Sequence, residues 1–264
     1  GSDTCGSIRI PAANNNLFGL RVTQGLSSRD GIIPLALTQD VGGPLARSMV
    51  DLVTVLDATV GSDPADPQTV GADEHLPESF AGFLQADALH GARLGLLTDY
   101  LKTSAPYGDV TDVIHDAVSA MEKHGAEVVD IKIEGLDELL RNTSVIGNEF
   151  TTDVAAYLEA SGAPISSVEE LLESGQYHEA LEGRYRSSLK SAEDTGEYQR
   201  RLANRDVLAR LLVETLEAND LDALVIHAVL AQDAGDRLRD GDNLAKRPVA
   251  ERRHQPHLGI VHAP

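Results

Sequence analysis

Gly1-Ser2-Asp3-Thr4-Cys5-Gly6-Ser7-Ile8-Arg9-Ile10-Pro11 is the stretch that decides how the rest of the chain is read. Small residues crowd its first half, so main-chain N–H groups can converge beside the Ser7 hydroxyl. Acyl transfer needs that pairing: a nucleophile, with donors aimed at the oxygen that gains charge on attack. Two other readings compete. A small-residue loop with one serine is commonly no more than a tight turn. Gly1 and Gly6 also have the spacing of a phosphate-cradling loop, but Ser7 stands where that loop's lysine must follow, which removes the reading.

What lifts the acyl-transfer reading is the order of the segments that follow. Gly19-Leu20-Arg21-Val22-Thr23-Gln24-Gly25, then Ser28-Arg29-Asp30-Gly31-Ile32-Ile33-Pro34, then Thr38-Gln39-Asp40-Val41-Gly42-Gly43-Pro44-Leu45-Ala46-Arg47, then Asp63-Pro64-Ala65-Asp66-Pro67 complete a run of motifs within 67 residues. This run resembles the amidase signature family, closest in flavour to its bacterial peptide amidases; Val22 stands where the family pattern usually has proline. After Pro67 the likeness thins to Ala92–Leu97 and Leu221–Val225, which look like later strands of the family.

The resemblance implies an α/β fold, a mixed twisted β-sheet flanked by α-helices, of which this chain supplies part. It implies Ser7 as the nucleophile, and an oxyanion hole built from the main-chain N–H groups of Thr4, Cys5, Gly6 and Ser7. Asp3 and Arg9 are then loop-structuring residues that pair within the motif. Cys5 occupies a position where many members carry glycine. Since glycine alone takes positive φ without penalty, Cys5 predicts ordinary backbone there.

The family uses a Ser–cis-Ser–Lys arrangement, in which a buried neutral lysine takes a proton through a bridging serine. Both partners lie upstream of the nucleophile in family members, so the chain is expected to begin inside a longer enzyme. Its five lysines (Lys102, Lys123, Lys132, Lys190, Lys246) lie downstream and match no family motif. Residues 1–225 are read as the amidase domain without its N-terminal part.

Residues 226–264 are read as an atypical polar tail, frame-shifted or disordered. They carry five acids and six bases, whereas the rest of the chain carries a net charge of −21. Four of the nine histidines fall here (His227, His254, His257, His262). A proline between His254 and His257, with no acid or cysteine cluster beside them, argues against a metal site. No metal and no cofactor are expected.

The net charge of −20 repels nucleic acid, and no run of about 18 apolar residues offers a membrane span. One cysteine permits no internal disulfide and fits a reducing cytoplasm. Only five of the 22 basic residues are lysine. An acidic surface of this kind keeps a protein hydrated in concentrated salt, so loss of structure in low salt is expected of a halophilic source; an acidic protein from a GC-rich gene has the same composition.

Apolar spacing predicts a strand over Leu17–Val22, a helix over Ala46–Val60, an exposed loop over 61–89, a strand at Leu94–Leu97, a helix over Val110–His124 and a strand over Glu127–Ile133. Residues 142–219 read as helices broken near Gly162–Pro164 and Gly175. Phe150, Tyr157, Tyr177, Tyr185 and Tyr198 either pack the core or line a substrate pocket.

Three functions remain open. One is an amidase hydrolysing a carboxamide, in a small molecule or peptide, to an acid plus ammonia or amine. The second is the A subunit of a tRNA-dependent amidotransferase, which hands ammonia to a partner. The third is an inactive truncated fragment.

Overall fold

The computed structural model describes residues 1–101 and 108–226, and the backbone of 259–261. The expected polar tail lies outside the described residues except for Ile226 and that short backbone segment. The first part of the chain forms paired two-residue strands rather than a sheet. β1 (Ser2–Asp3) is followed by α1 (Arg9–Asn14), β2 (Phe18–Gly19), β3 (Val41–Gly42) and β4 (Leu45–Ala46). β1 pairs antiparallel with β3, and β2 with β4.

The strand expected over Leu17–Val22 therefore shrinks to two residues. Leu20 N–H still reaches the Pro44 carbonyl at 3.1 Å, but Pro44 has no N–H to return, so the ladder stops. α2 (Met49–Thr59) starts three residues later than expected, because the Ser48 side chain caps it by accepting from Asp51 N–H at 3.1 Å. Its Leu52, Val53 and Leu56 are buried, and Leu56 joins Val22 and Val41 in a small apolar cluster.

Residues 61–89 contain more structure than the exposed loop predicted from their Gly, Pro and Asp content. Three 3-10 turns run through Pro67–Thr69, Ala72–His75 and Phe80–Phe83. Asp66 and Thr69 are buried. The reason is electrostatic rather than apolar: Asp66 is the partner of Arg29, described below.

The main sheet follows. β5 (Arg93–Leu97) leads through α3 (Gly108–Lys123) to β6 (Glu127–Ile131), which lies parallel to β5. Alternation along β5 sorts its side chains to two faces. Leu94 and Leu96 pack with Ile114 and Met121 of α3, while Leu97 packs with Ile131, Ile133 and Leu136 on the other side. Both faces are covered, as a parallel strand pair requires.

α4 (Leu136–Arg141), α5 (Ile146–Ser161), α6 (Val168–Ser174), α7 (Glu182–Ala192) and α8 (Thr195–Ala218) make up the helical stretch, with left-handed glycines at Gly162 and Gly175 ending α5 and α6. α8 lays Leu208, Leu211, Leu212 and Leu216 against the second face of the sheet. The chain then returns as β7 (Ala223–Ile226), parallel to β5 on its other edge, and the backbone of β8 (Gly259–Val261) pairs antiparallel with β7. Among the described residues, no helix is long and apolar enough to cross a membrane.

Candidate active site

Ser7 is exposed between buried Gly6 and Ile8, at the turn that leads into α1. The loop before it is folded around the carboxylate of Asp3, which is fully buried. Asp3 Oδ1 accepts from Gly6 N–H at 2.7 Å, and Oδ2 accepts from Ile8 N–H at 3.1 Å and Arg9 Nε–H at 3.3 Å. Arg21 donates through Nη1 to the Asp3 carbonyl and to Oδ1, the latter at 3.2 Å. Burial pushes the Asp3 carboxyl upward, but the Arg9 charge, the Ile8 N–H and Arg21 together outweigh it and hold the group below its ordinary value.

Gly6 has φ +144°, and a Cβ on it would fall 2.6 Å from the Cδ1 of Ile10. A side chain there would be strained by that backbone conformation and would have to displace the end of Ile10. The described non-glycine residues with positive φ are Asn16 and Asp220, so Cys5 has ordinary backbone, as its identity predicts. Behind the loop Ile8 is fully buried. Gly43 makes room for it: a Cβ there would meet the Leu20 carbonyl at 2.2 Å and Ile8 Cδ1 at 2.9 Å.

Cys5 is exposed at the surface. The packed loop beneath it and the Asp3 charge nonetheless push the thiol above its usual range. It stays protonated near neutrality, so Cys5 is not an activated thiolate.

The loop rests on a strap, residues 35–40. Asp40 accepts from the N–H groups of Leu35 (2.8 Å) and Ala36 (3.0 Å) and from Thr4 Oγ1 (2.5 Å). The Gln39 side chain accepts from Val145 N–H at 2.7 Å and donates to the Thr4 carbonyl at 3.4 Å. The helices grip the same strap. Glu149 of α5, itself buried, accepts from Thr38 N–H (3.0 Å), Thr38 Oγ1 (2.6 Å) and Tyr198 OH (2.8 Å). Asp153 accepts from Leu37 N–H at 2.7 Å, and Arg205 of α8 donates to the Thr38 carbonyl at 3.0 Å.

Two of the sequence motifs meet here across 37 residues. Arg29 donates from Nε (2.8 Å) and Nη2 (2.6 Å) to Asp66, and its main-chain N–H donates to the same carboxylate at 2.8 Å. That hydrogen bonding holds the Asp66 pKa down at about 2. Ser28 Oγ donates to Asp63 at 2.6 Å.

Sequence reasoning singles out Thr4, Cys5, Gly6, Ser7, Asp3 and Arg9, and the structure gathers them in one turn. It misses Arg21, Gln39 and Glu149. The first two lie inside motifs already quoted, so only their roles were hidden; Glu149 sits on a helix with no local signal. Of the five aromatics, Phe150 and Tyr185 stack at 5.8 Å and Tyr177 meets Tyr185 edge-on at 5.7 Å. A cavity of about 480 Å³ lies among Gln24, Thr38, Gln68, Gln199, Leu202 and Arg205, and neither those aromatics nor Ser7 line it. Lys123, Lys132 and Lys190 are exposed, and Lys132 pairs with Asp99 at 3.4 Å. Lys102 and Lys246 lie outside the described residues.

The Amidase family profile matches residues 1–242. A probable amidase of Arabidopsis thaliana is 29% identical over 245 residues, covering 85% of this chain and 45% of that protein. The A subunit of the glutamyl-tRNA(Gln) amidotransferase from Pseudomonas fluorescens is 36% identical over 139 residues, covering 53% of this chain and 28% of that protein. Among solved structures, the native peptide amidase from Stenotrophomonas maltophilia matches with a TM-score of 0.68 and 31% identity over 85% of this chain and 48% of its own. An amidase family protein from Bacillus anthracis matches with a TM-score of 0.73 and 28% identity over 89% of this chain and 48% of its own. The chain thus spans about half the length of the relatives it matches along most of its own. Motif order, loop geometry and these matches converge: the chain belongs to the amidase signature family and has that family's mixed α/β fold.

Proposed function

We propose that the protein carrying this chain is a serine amidase whose nucleophile is Ser7. One observation carries the reading. Ser7 is exposed beside main-chain N–H groups of Thr4, Cys5 and Ser7 that bond no other described group, on a loop locked by a fully buried carboxylate. Attack of Ser7 Oγ on a carboxamide carbon moves the carbonyl electron pair onto oxygen, where those N–H groups meet it. The C–N bond then breaks, the nitrogen leaves with a proton as ammonia or amine, and water releases the acid from the acyl-serine. The Gly6 N–H donates to Asp3 and reaches the oxyanion only by sharing that bond.

The Ser7 proton needs a base. The described lysines, Lys123, Lys132 and Lys190, are exposed to solvent. The family's upstream lysine and bridging serine are the natural source in the full-length protein. Likeness to a peptide amidase over 85% of this chain supports a terminal or small carboxamide as substrate. The amidotransferase reading rests on the 36% match through the motif region. An inert fragment remains the third outcome.

The test uses the full-length protein, with ammonia release from simple and peptide carboxamides and labelling by a fluorophosphonate. Ser7→Ala should abolish labelling and lower kcat on the order of 10⁶-fold. Retained turnover would move the chemistry to another residue. Glutaminase activity that emerges only with a partner protein would establish the amidotransferase reading.

A further inference from the structure

The nucleophile loop makes two of its peptide planes answer to distant side chains. A peptide unit is rigid and flat, with its C=O and the next N–H pointing in opposite directions. Fixing a carbonyl therefore aims the following N–H. Arg21 holds the Asp3 carbonyl, which aims Thr4 N–H away from it. The Thr4 carbonyl is held by Gln39 Nε2, which aims Cys5 N–H away from Gln39; Cys5 and Ser7 are both exposed.

The orientation of the Gln39 amide is not arbitrary. Its Oε1 accepts from Val145 N–H at 2.7 Å, a donor that an NH2 group could not meet, so its NH2 must face Thr4. Val145 is fully buried at the start of α5. Gln39 is held at its backbone too, where its carbonyl accepts from Arg21 Nη2 at 2.8 Å. The bond to Thr4 is long, 3.4 Å.

We infer that Gln39 is a positioning residue for amide hydrolysis: it orients the Thr4–Cys5 peptide so that Cys5 N–H serves as an oxyanion donor, and it refers that orientation to the helical layer through Val145. The inference rests on Ser7 being the nucleophile. It assigns to one glutamine a role that neither its exposure nor its spacing in the sequence discloses.

The experiment compares Gln39→Glu and Gln39→Met with wild type and Ser7→Ala in the full-length protein, measuring kcat, KM, fluorophosphonate labelling rate and thermal melting. In Gln39→Glu the introduced carboxylate still accepts from Val145 but repels the Thr4 carbonyl. Once protonated it can donate again. Gln39→Glu should therefore lose about tenfold to a hundredfold in kcat at neutral pH, with KM changed less than about threefold, a smaller loss than the roughly hundredfold to thousandfold that follows complete removal of an oxyanion donor. Its kcat relative to wild type should climb as pH falls. Gln39→Met, similar in volume but without polar ends, should show a similar loss and no such climb.

Wild-type kcat in both variants would overturn the inference, as would equal losses without any difference in pH dependence. Loss of a cooperative melt in both would make Gln39 a purely structural residue and overturn it too. An active Ser7→Ala protein, or a wild type that neither turns over carboxamides nor labels, would overturn the parent assignment and this one with it.

Discussion

The sheet around β5 and the loop around Ser7 are equally buried at their centres, yet they are built from opposite materials. Leu96, Ile114 and Val225 are excluded from water among other apolar side chains, and their contribution scales with the area they remove from water. Asp3, Asp40, Asp66 and Glu149 are excluded among N–H groups, hydroxyls and guanidinium ions. The first arrangement tolerates shape-conserving change. The second is intolerant, because losing one partner leaves a buried charge or donor with nothing to meet it. A site that must place N–H groups to a fraction of an ångström gains from the second kind of construction.

Substitution in the two regions tests that contrast. Beyond the loss of turnover in Ser7→Ala, the largest effect on stability belongs to Asp3→Ala. It strands the buried Gly6 and Ile8 N–H groups, each costing about 1–3 kcal/mol when unmet, and leaves the partly exposed Arg9 and Arg21 without their partner. Chemical denaturation should show this, together with loss of labelling at Ser7. A stable and fully active Asp3→Ala protein would erase the distinction between the regions.

Leu96→Ala should cost about 2–5 kcal/mol through lost burial and the cavity left behind. It should leave kcat of the folded fraction unchanged, since Leu96 faces α3 rather than the strap. The pair of variants sharpens the comparison, because similar destabilisation should come with opposite consequences for activity.

Acid titration separates the regions again. A carboxyl that titrates lower in the folded chain than in the unfolded one favours folding in full above its unfolded value, and that contribution fades as pH falls through its folded value. For Asp66 the window runs from the ordinary value of 3.8 down to about 2, and Asp3 shifts in the same direction. Urea midpoints should fall over that window in wild type and less steeply in Asp66→Asn. A flat wild-type response would show the Arg29–Asp66 pair to be idle.

The smallest effect is expected on α7, where Arg186 and Glu182 form a solvated pair one helical turn apart at 2.8 Å. Arg186→Ala should change stability by no more than about 0.5 kcal/mol. A larger loss would mean that this exposed pair behaves like the buried ones.

Particular residues show how much is legible in advance. Apolar runs and period-two alternation place β5 and β6 to within a few residues, and period-3.6 spacing places α2 and α3, because those patterns report local geometry. The shortness of β2 is also encoded, in Pro44, but only once Pro44 is known to lie opposite Leu20. The Asp66 segment reads as exposed loop, since nothing in Asp-Pro-Ala-Asp-Pro says that an arginine 37 positions before Asp66 will close on it. Glu149 is one acid among many on a helical stretch.

The sequence alone singled out one turn: its small residues and the motif order mark Gly6-Ser7 as the turn on which the proposed acyl transfer would depend. It also determined the family. Only the tertiary structure decided what holds that turn. Asp3 meets Arg21 from 18 residues away, and Gln39 meets Val145 from 106 residues away. Hydrogen bonds depend on positions in space to within a few tenths of an ångström, whereas sequence patterns record only which face of an element a residue occupies.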